Sequence, residues 1–266
     1  MNAVLWKLWL GGLVGCNPPD DGCEAKATSL SCAHEVTKVD DRRVLWQAPD
    51  GEAPADGWPV AILFQGSLFP AETYWSSPKY APFGAYHQVE LTRDLLDAGY
   101  LVLTPEALGA GLTCWNTNLP GWSGNWESSP DFDLMTALFD AVADGTFGPA
   151  DPTDWVAAGI SSGGYMTSRV ANTWPDRFRA VAIASASWET CAGPVCSVPD
   201  DAALDAHPPT LFLHGKLDPV VPIVTMWPYQ ERLAEAGVDT AVEIAPLGLH
   251  AWSDDAPAAI LGFFGD

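Results

Sequence analysis

Basic side chains are scarce. Lys and Arg number 12 against 34 Asp and Glu in 266 residues, a formal net charge of −22. A surface of that sign repels phosphate backbones and makes nucleic acid a poor partner. The acidic residues are scattered, so no disordered acidic tail is indicated. Long apolar runs are missing too: no segment supplies the ~18 residues of a transmembrane helix. Histidine occurs five times, and no second cysteine pair or histidine sits at zinc-ligand spacing. Neither a metal nor a cofactor is expected. No segment repeats at a fixed period. What is abundant is apolar character, 48% of the chain, enough for one large core.

The first residues, MNAVLWKLWLGGLVGC, hold one lysine, a short apolar stretch and then Leu13-Val14-Gly15-Cys16. This resembles a bacterial lipoprotein signal, in which a cysteine after small residues takes the lipid. Residues 1–15 are therefore expected to be a signal and Cys16 the lipid attachment site, giving an exported or cell-surface protein whose only membrane contact is that anchor. Residues 16–40 are polar and rich in Asp, Pro and Cys and read as a tether. A single catalytic domain would span 41–266. Of the other cysteines, Cys23 with Cys32 and Cys191 with Cys196 are plausible local pairs, which would leave Cys114 over; spacing alone does not fix the connectivity.

From residue 42 onward apolar runs alternate with helical ones. RRVLWQA, WPVAILFQ, YLVLTP, DWVAAGI, RAVAIASA, PTLFLHG and TAVEIAP read as strands. YHQVELTRDLLDAG, DFDLMTALFDAVADG, SGGYMTSRVANTW, MWPYQERLAEAG and SDDAPAAILGFF read as helices. Alternation of this kind implies an α/β fold, a mainly parallel sheet with helices on both faces. Residues 105–130 lack periodicity, hold Trp115, Trp122 and Trp126, and form a long loop of the kind that carries function.

The chemistry concentrates at Gly159-Ile160-Ser161-Ser162-Gly163-Gly164, a G-x-S-x-G between a strand and a helix. Such a turn raises a serine above the sheet edge in a strained conformation, and glycines let strand and helix approach closely. Gly164 is expected to relieve crowding in the first helical turn. A serine needs a base, and the base an orienting carboxylate. Asp218, in LHGKLDPVVP, and His250, in GLHAW, follow Ser161 in the Ser–Asp–His order of α/β-hydrolases. His214 is expected to brace the Asp218 loop. Glu189 and Asp254 are the next carboxylates to consider. The oxyanion hole would use the backbone N–H groups of Ser162 and of Ser67, in the loop after WPVAILFQ.

FQGS, GISSGGYMTSR, LHGKLDPVVP and GLHAW, taken together, resemble the extracellular polyhydroxyalkanoate depolymerases of the medium-chain-length type. The resemblance runs from about residue 42 onward. It implies a single-domain α/β-hydrolase serine esterase without a separate polymer-binding module. It also implies nucleophile, carboxylate and base roles for Ser161, Asp218 and His250. Free release, as in that family, conflicts with an anchor at Cys16. Exposed aromatics at the rim, from Trp115, Trp122, Trp126, Trp188 and Trp252, would grip an apolar polyester. Two other readings compete: a carboxylesterase or feruloyl-type esterase on small or plant-derived esters, and a non-catalytic surface protein that binds through its aromatic face.

Overall fold

The computed structural model describes residues 22–265 apart from 109–113, 118, 120, 123, 192–195 and 201. The expected signal segment and Cys16 lie outside the described residues. Eleven strands appear among them: β1 (Cys23–Lys26), β2 (Ser29–Cys32), β3 (Glu35–Val39), β4 (Arg42–Gln47), β5 (Trp58–Phe64), β6 (Ser76–Pro78), β7 (Leu101–Pro105), β8 (Ala150–Ile160), β9 (Phe178–Ala184), β10 (Thr210–Gly215) and β11 (Thr240–Ala245). Five α-helices accompany them: α1 (Ala85–Asp97), α2 (Pro130–Ala143), α3 (Ser162–Thr173), α4 (Trp227–Glu235) and α5 (Ala256–Gly265).

Eight strands form one sheet in the order β11-β10-β9-β8-β5-β7-β4-β3. From β11 to β7 all neighbours run parallel; β4 and β3 close the far edge antiparallel. The continuous apolar run of β5 reflects burial on both faces. Its Ala61 and Leu63 face a layer containing α1 and α5. Val60, Ile62 and Phe64 face α2 and α3, and α4 extends that second layer over Ile183 and Phe212. Each Val, Ile, Leu or Phe among them taken fully from water contributes about 1.5–3 kcal/mol. Local signals set the helix ends. Ser129 Oγ accepts the Phe132 N–H at 3.2 Å ahead of Pro130 at the start of α2. Gly99, with φ of 88°, follows α1.

The tether expectation requires correction. Residues 23–39 carry three strands, so the folded unit begins well before residue 41. β1, β2 and β6 form a small antiparallel sheet, crosslinked by a Cys23–Cys32 disulfide between directly opposed residues. Leu30 is wholly buried in the α1/α5 core. β3 turns into β4 through Asp40 and Asp41, whose φ values of 49° and 59° suit a two-residue hairpin turn. The polar composition misleads because these short strands show Glu, Lys and Ser to solvent on one side. The signal for the hairpin was the Asp-Asp pair between EVTKV and RRVLW. The second local cysteine pair, Cys191–Cys196, is also bonded, and Cys114 is buried. Among the described residues no helix is long and apolar enough to cross a membrane.

Candidate active site

Ser161 sits between the last residue of β8 and the first of α3, with φ 56° and ψ −122°. A non-glycine residue there is strained and persists only where its surroundings hold it. Its N–H donates to the Ala184 carbonyl at 2.9 Å, and its own carbonyl accepts the Tyr165 N–H at 3.0 Å. The glycines explain the tight passage. A Cβ on Gly159 would overlap the Gly163 carbonyl, and one on Gly163 would overlap the Phe64 carbonyl at the end of β5. Gly164 relieves crowding in the first turn of α3, as expected: a Cβ there would lie 2.6 Å from that of Ala186 and 2.8 Å from the Ala184 carbonyl oxygen.

Asp218 lies in the loop after β10. Its Oδ1 accepts the N–H groups of Val220 and Val221 at 2.8 and 2.9 Å, and its Oδ2 accepts from His250 Nδ1 at 2.8 Å. Burial alone would raise the carboxyl pKa, but the His250 hydrogen bond and the two amides together hold it below its ordinary value. His250 reaches Asp218 because two backbones nearly touch. A Cβ on Gly215 would overlap the Leu249 carbonyl, and Leu217 N–H donates to Gly248 O at 2.9 Å. With its Nδ1 proton given to Asp218, His250 keeps Nε2 as an acceptor. His214 braces the loop as expected: its Nε2 donates to the Val221 carbonyl at 2.8 Å and lies 3.6 Å from Asp218 Oδ2. Burial lowers the His214 pKa, which keeps it neutral.

Ser161 and His250 line one cavity of about 210 Å³ together with Ser67, Phe69, Phe83 and Val220. Its walls are mostly apolar. Phe83 meets His250 edge-on at 5.9 Å and Phe69 at 5.2 Å. Gly66 passes beside Ser161, which puts the Ser67 loop at the serine. Ser162 opens α3, with its hydroxyl accepting the Trp115 N–H at 3.0 Å.

The tryptophans are not where the sequence suggested. None of the five lines this cavity. Trp115, Trp126, Trp188 and Trp252 are buried, and half-buried Trp122 lies beside Arg42 and Pro130. They fill the interior instead. Trp115 packs edge-on against Phe64 and donates its indole N–H to Gln65 O at 3.1 Å. Trp126 lies under the Arg169 guanidinium at 5.2 Å. Trp188 packs on Tyr229 and Trp252 on Tyr74. The aromatic walls come from Phe69 and Phe83, which no spacing rule marked. Glu189 forms a buried ion pair with Arg169 at 2.5 Å, and burial lifts its pKa to about 7. Asp254 is almost fully exposed and contacts His87 at 3.2 Å.

A second buried pair, Arg42–Asp131 at 2.5 Å, ties β4 to α2, and the other Asp131 oxygen accepts the Asn116 N–H at 2.6 Å. Arg169 donates to the Thr117 carbonyl at 3.2 Å. The long loop is thereby fastened to α2 and α3 at the two residues that follow Trp115.

The prolyl oligopeptidase family model matches residues 88–191. A poly(3-hydroxyoctanoate) depolymerase of Pseudomonas fluorescens is 43% identical over 244 residues, covering 90% of this chain and 86% of its own. The chain belongs to the polyhydroxyalkanoate depolymerase family. Among solved structures, the carboxylesterase of Bacillus cereus aligns with a TM-score of 0.60 at 12% identity, over 84% of this chain and 93% of its own. The acylaminoacyl peptidase of Pyrococcus horikoshii aligns at 0.58 and 16% identity, over 90% of this chain and 41% of its own. These two share the α/β-hydrolase fold with this chain. The depolymerase family membership makes this protein an ester hydrolase.

Proposed function

We propose that the protein hydrolyses the ester bonds of polyhydroxyalkanoate polyesters through Ser161, His250 and Asp218. The observation that carries this reading is the Asp218–His250 hydrogen bond beside a strained Ser161 that shares an apolar cavity with His250. Ser161 Oγ attacks the ester carbonyl carbon while His250 Nε2 takes its proton. Asp218 holds the imidazole in the required tautomer and stabilises the imidazolium. The oxyanion is held by the N–H groups of Ser67 and Ser162, the latter at the positive end of α3. Collapse expels the alcohol end of the polymer, which takes the proton from His250, and leaves an acyl-enzyme on Ser161. Water, deprotonated by His250, attacks that ester; the bond to Ser161 Oγ breaks, Oγ takes the proton back from His250, and a 3-hydroxyacyl chain with a free carboxylic acid end leaves. Phe69 and Phe83 supply an apolar wall for an alkyl side chain.

The two disulfides support an exported enzyme. Lipidation at Cys16 completes that proposal, and intact mass of the membrane-extracted protein tests it: a mature chain without lipid mass at Cys16 overturns the anchor.

The deciding experiment compares clearing of a polyhydroxyoctanoate suspension with clearing of polyhydroxybutyrate and hydrolysis of short p-nitrophenyl esters. The proposal expects clearing of polyhydroxyoctanoate, labelling of Ser161 by a fluorophosphonate, and loss of about four or more orders of magnitude in Ser161→Ala. Turnover of small esters with no clearing makes the protein a carboxylesterase instead.

A further inference from the structure

The cavity that holds Ser161 and His250 contains a polar side chain to which the proposed mechanism gives no task. Gln88, on α1, lines it beside Phe69, Phe83 and Val220. The residue is buried, with 4% of its surface exposed. Its carboxamide nitrogen donates to the Phe83 carbonyl at a long 3.5 Å, and that carbonyl also accepts the Trp252 N–H at 3.3 Å. A carbonyl oxygen only accepts, so nitrogen is the amide atom that faces it. The carboxamide oxygen accepts no hydrogen bond among the described residues, which leaves an acceptor for whatever enters the cavity. Burying an amide without a partner costs free energy that an apolar side chain here would not incur. A ligand that brings a donor offsets that cost.

The proposed substrate narrows the donor to one group. Ester oxygens along a polyhydroxyalkanoate are all acceptors, so the interior of the chain offers the Gln88 oxygen nothing. The carboxylate end is ionised at neutral pH and is acceptor-only as well. The remaining end carries a free 3-hydroxyl, the polymer's single O–H donor.

We infer that Gln88 Oε1 accepts the free 3-hydroxyl of a polyester chain end and so directs Ser161 to the ester bonds nearest that end. This rests on the polyester reading above. The cavity, at about 210 Å³, lies below the roughly 300–1,000 Å³ of pockets that take drug-sized ligands, which suits a chain end of about one or two repeat units. Attack by Ser161 expels the rest of the polymer as an alcohol, and that alcohol is the 3-hydroxyl end of the shortened chain. One turnover thus makes the group that the next one binds.

The test measures kcat/KM of the full-length enzyme on p-nitrophenyl esters of 3-hydroxyoctanoate and of its linear dimer, each with the terminal oxygen free or methylated. Methylation removes the donor and keeps the electron-withdrawing oxygen. The free hydroxyl is expected to be favoured about three- to ten-fold, the worth of one hydrogen bond, at the length that spans Ser161 to Gln88. Gln88→Met, or Gln88→Leu should that chain not fold, is expected to bring the ratio to about one. Gln88→Glu keeps an acceptor oxygen in either protonation state and should retain the preference. Equal rates on free and methylated esters at both lengths overturn the inference without any variant. A preference that survives in the apolar variant, or is lost equally in Gln88→Glu, overturns it too, because the acceptor oxygen is then not its source. An enzyme that clears polyhydroxyoctanoate without any hydroxyl preference loses the chain-end inference and keeps the polyester reading. One that turns over p-nitrophenyl butyrate, but neither the hydroxyoctanoate esters nor the polymer, loses the polyester reading itself.

Discussion

Gly163 lies against the carbonyl oxygen of Phe64 so closely that no side chain fits between them. The contact joins the first turn of α3 to the end of β5, and it places the serine turn beside the Ser67 loop. A methyl group at 163 must push strand or helix aside, and both are backbone.

Gly163→Ala is therefore expected to destabilise by more than about 3 kcal/mol, through overpacking that nothing flexible relieves. Gly262→Ala in α5 is the opposite case: no atom lies within 4 Å of the added carbon, and its backbone is not left-handed. That variant should gain about 0.5–1 kcal/mol from helix propensity. Urea unfolding of both decides whether close approach, and not glycine as such, is what the motif requires.

Asp218→Asn should lower kcat by about 10⁴ by reversing the imidazole tautomer. Because the folded carboxyl titrates below its ordinary value of 3.8, its contribution to stability is present above that pH and is lost as pH falls through the folded value. The stability gap between parent and Asn variant should thus be constant from pH 8 to 5 and narrow only below about pH 4. Denaturant titrations at four pH values read this directly. A gap closing near neutrality would place the ionisation elsewhere.

Trp115→Phe keeps the packing on Phe64 but deletes the indole N–H that holds the Gln65 carbonyl. Trp115 acts here as a positioning residue: its amide bonds Ser162 Oγ, its indole bonds Gln65, and these neighbour the two proposed oxyanion donors. Loss of one hydrogen bond, worth about 1 kcal/mol, should lower kcat roughly five- to ten-fold with little change in KM. A merely structural role would lower Tm and leave kcat intact.

His207 is buried between Tyr229 and the Pro208 carbonyl, and burial holds its pKa at about 4 against an ordinary value of 6.5. The unfolded chain therefore takes up a proton that the folded one refuses. Stability attributable to this group is full above pH 6.5 and is lost as pH falls toward 4. Between pH 7 and 4.5 the loss amounts to about 2 kcal/mol. His207→Gln should flatten the pH dependence of unfolding by about that amount. Glu189 titrates in the opposite sense, with stability lost as pH rises through about 7, so the parent-minus-variant difference is the quantity to measure.

Strand alternation and turn residues located β4, β5 and β7–β11 and every α-helix, because a buried strand and an amphipathic helix each repeat their chemistry over many residues. Ser161, Asp218 and His250 could be named as candidates for the same reason: each lies just past a readable strand. β1–β3 escaped because four or five polar-faced residues carry too little periodicity. The tryptophans misled for another reason. Trp115 and Trp252 differ from Phe69 and Phe83 only in which way their loops turn, and loop direction is set by contacts such as Asp131 with Asn116 that join distant segments. The Arg169–Glu189 pair was illegible on the same ground.

Strand β8, which leads into Ser161, lies at the middle of the sheet, whereas His250 follows β11, which pairs with β10 at the sheet's edge. Tyr100 and Arg179 then bond the Phe264 carbonyl, closing α5 over strands made far earlier. On the proposed mechanism a chain made from its N-terminus has its serine and its carboxylate before its base, which stands at residue 250 of 266. On that reading, ester cleavage waits for the segment after β11 to close on the rest of the sheet.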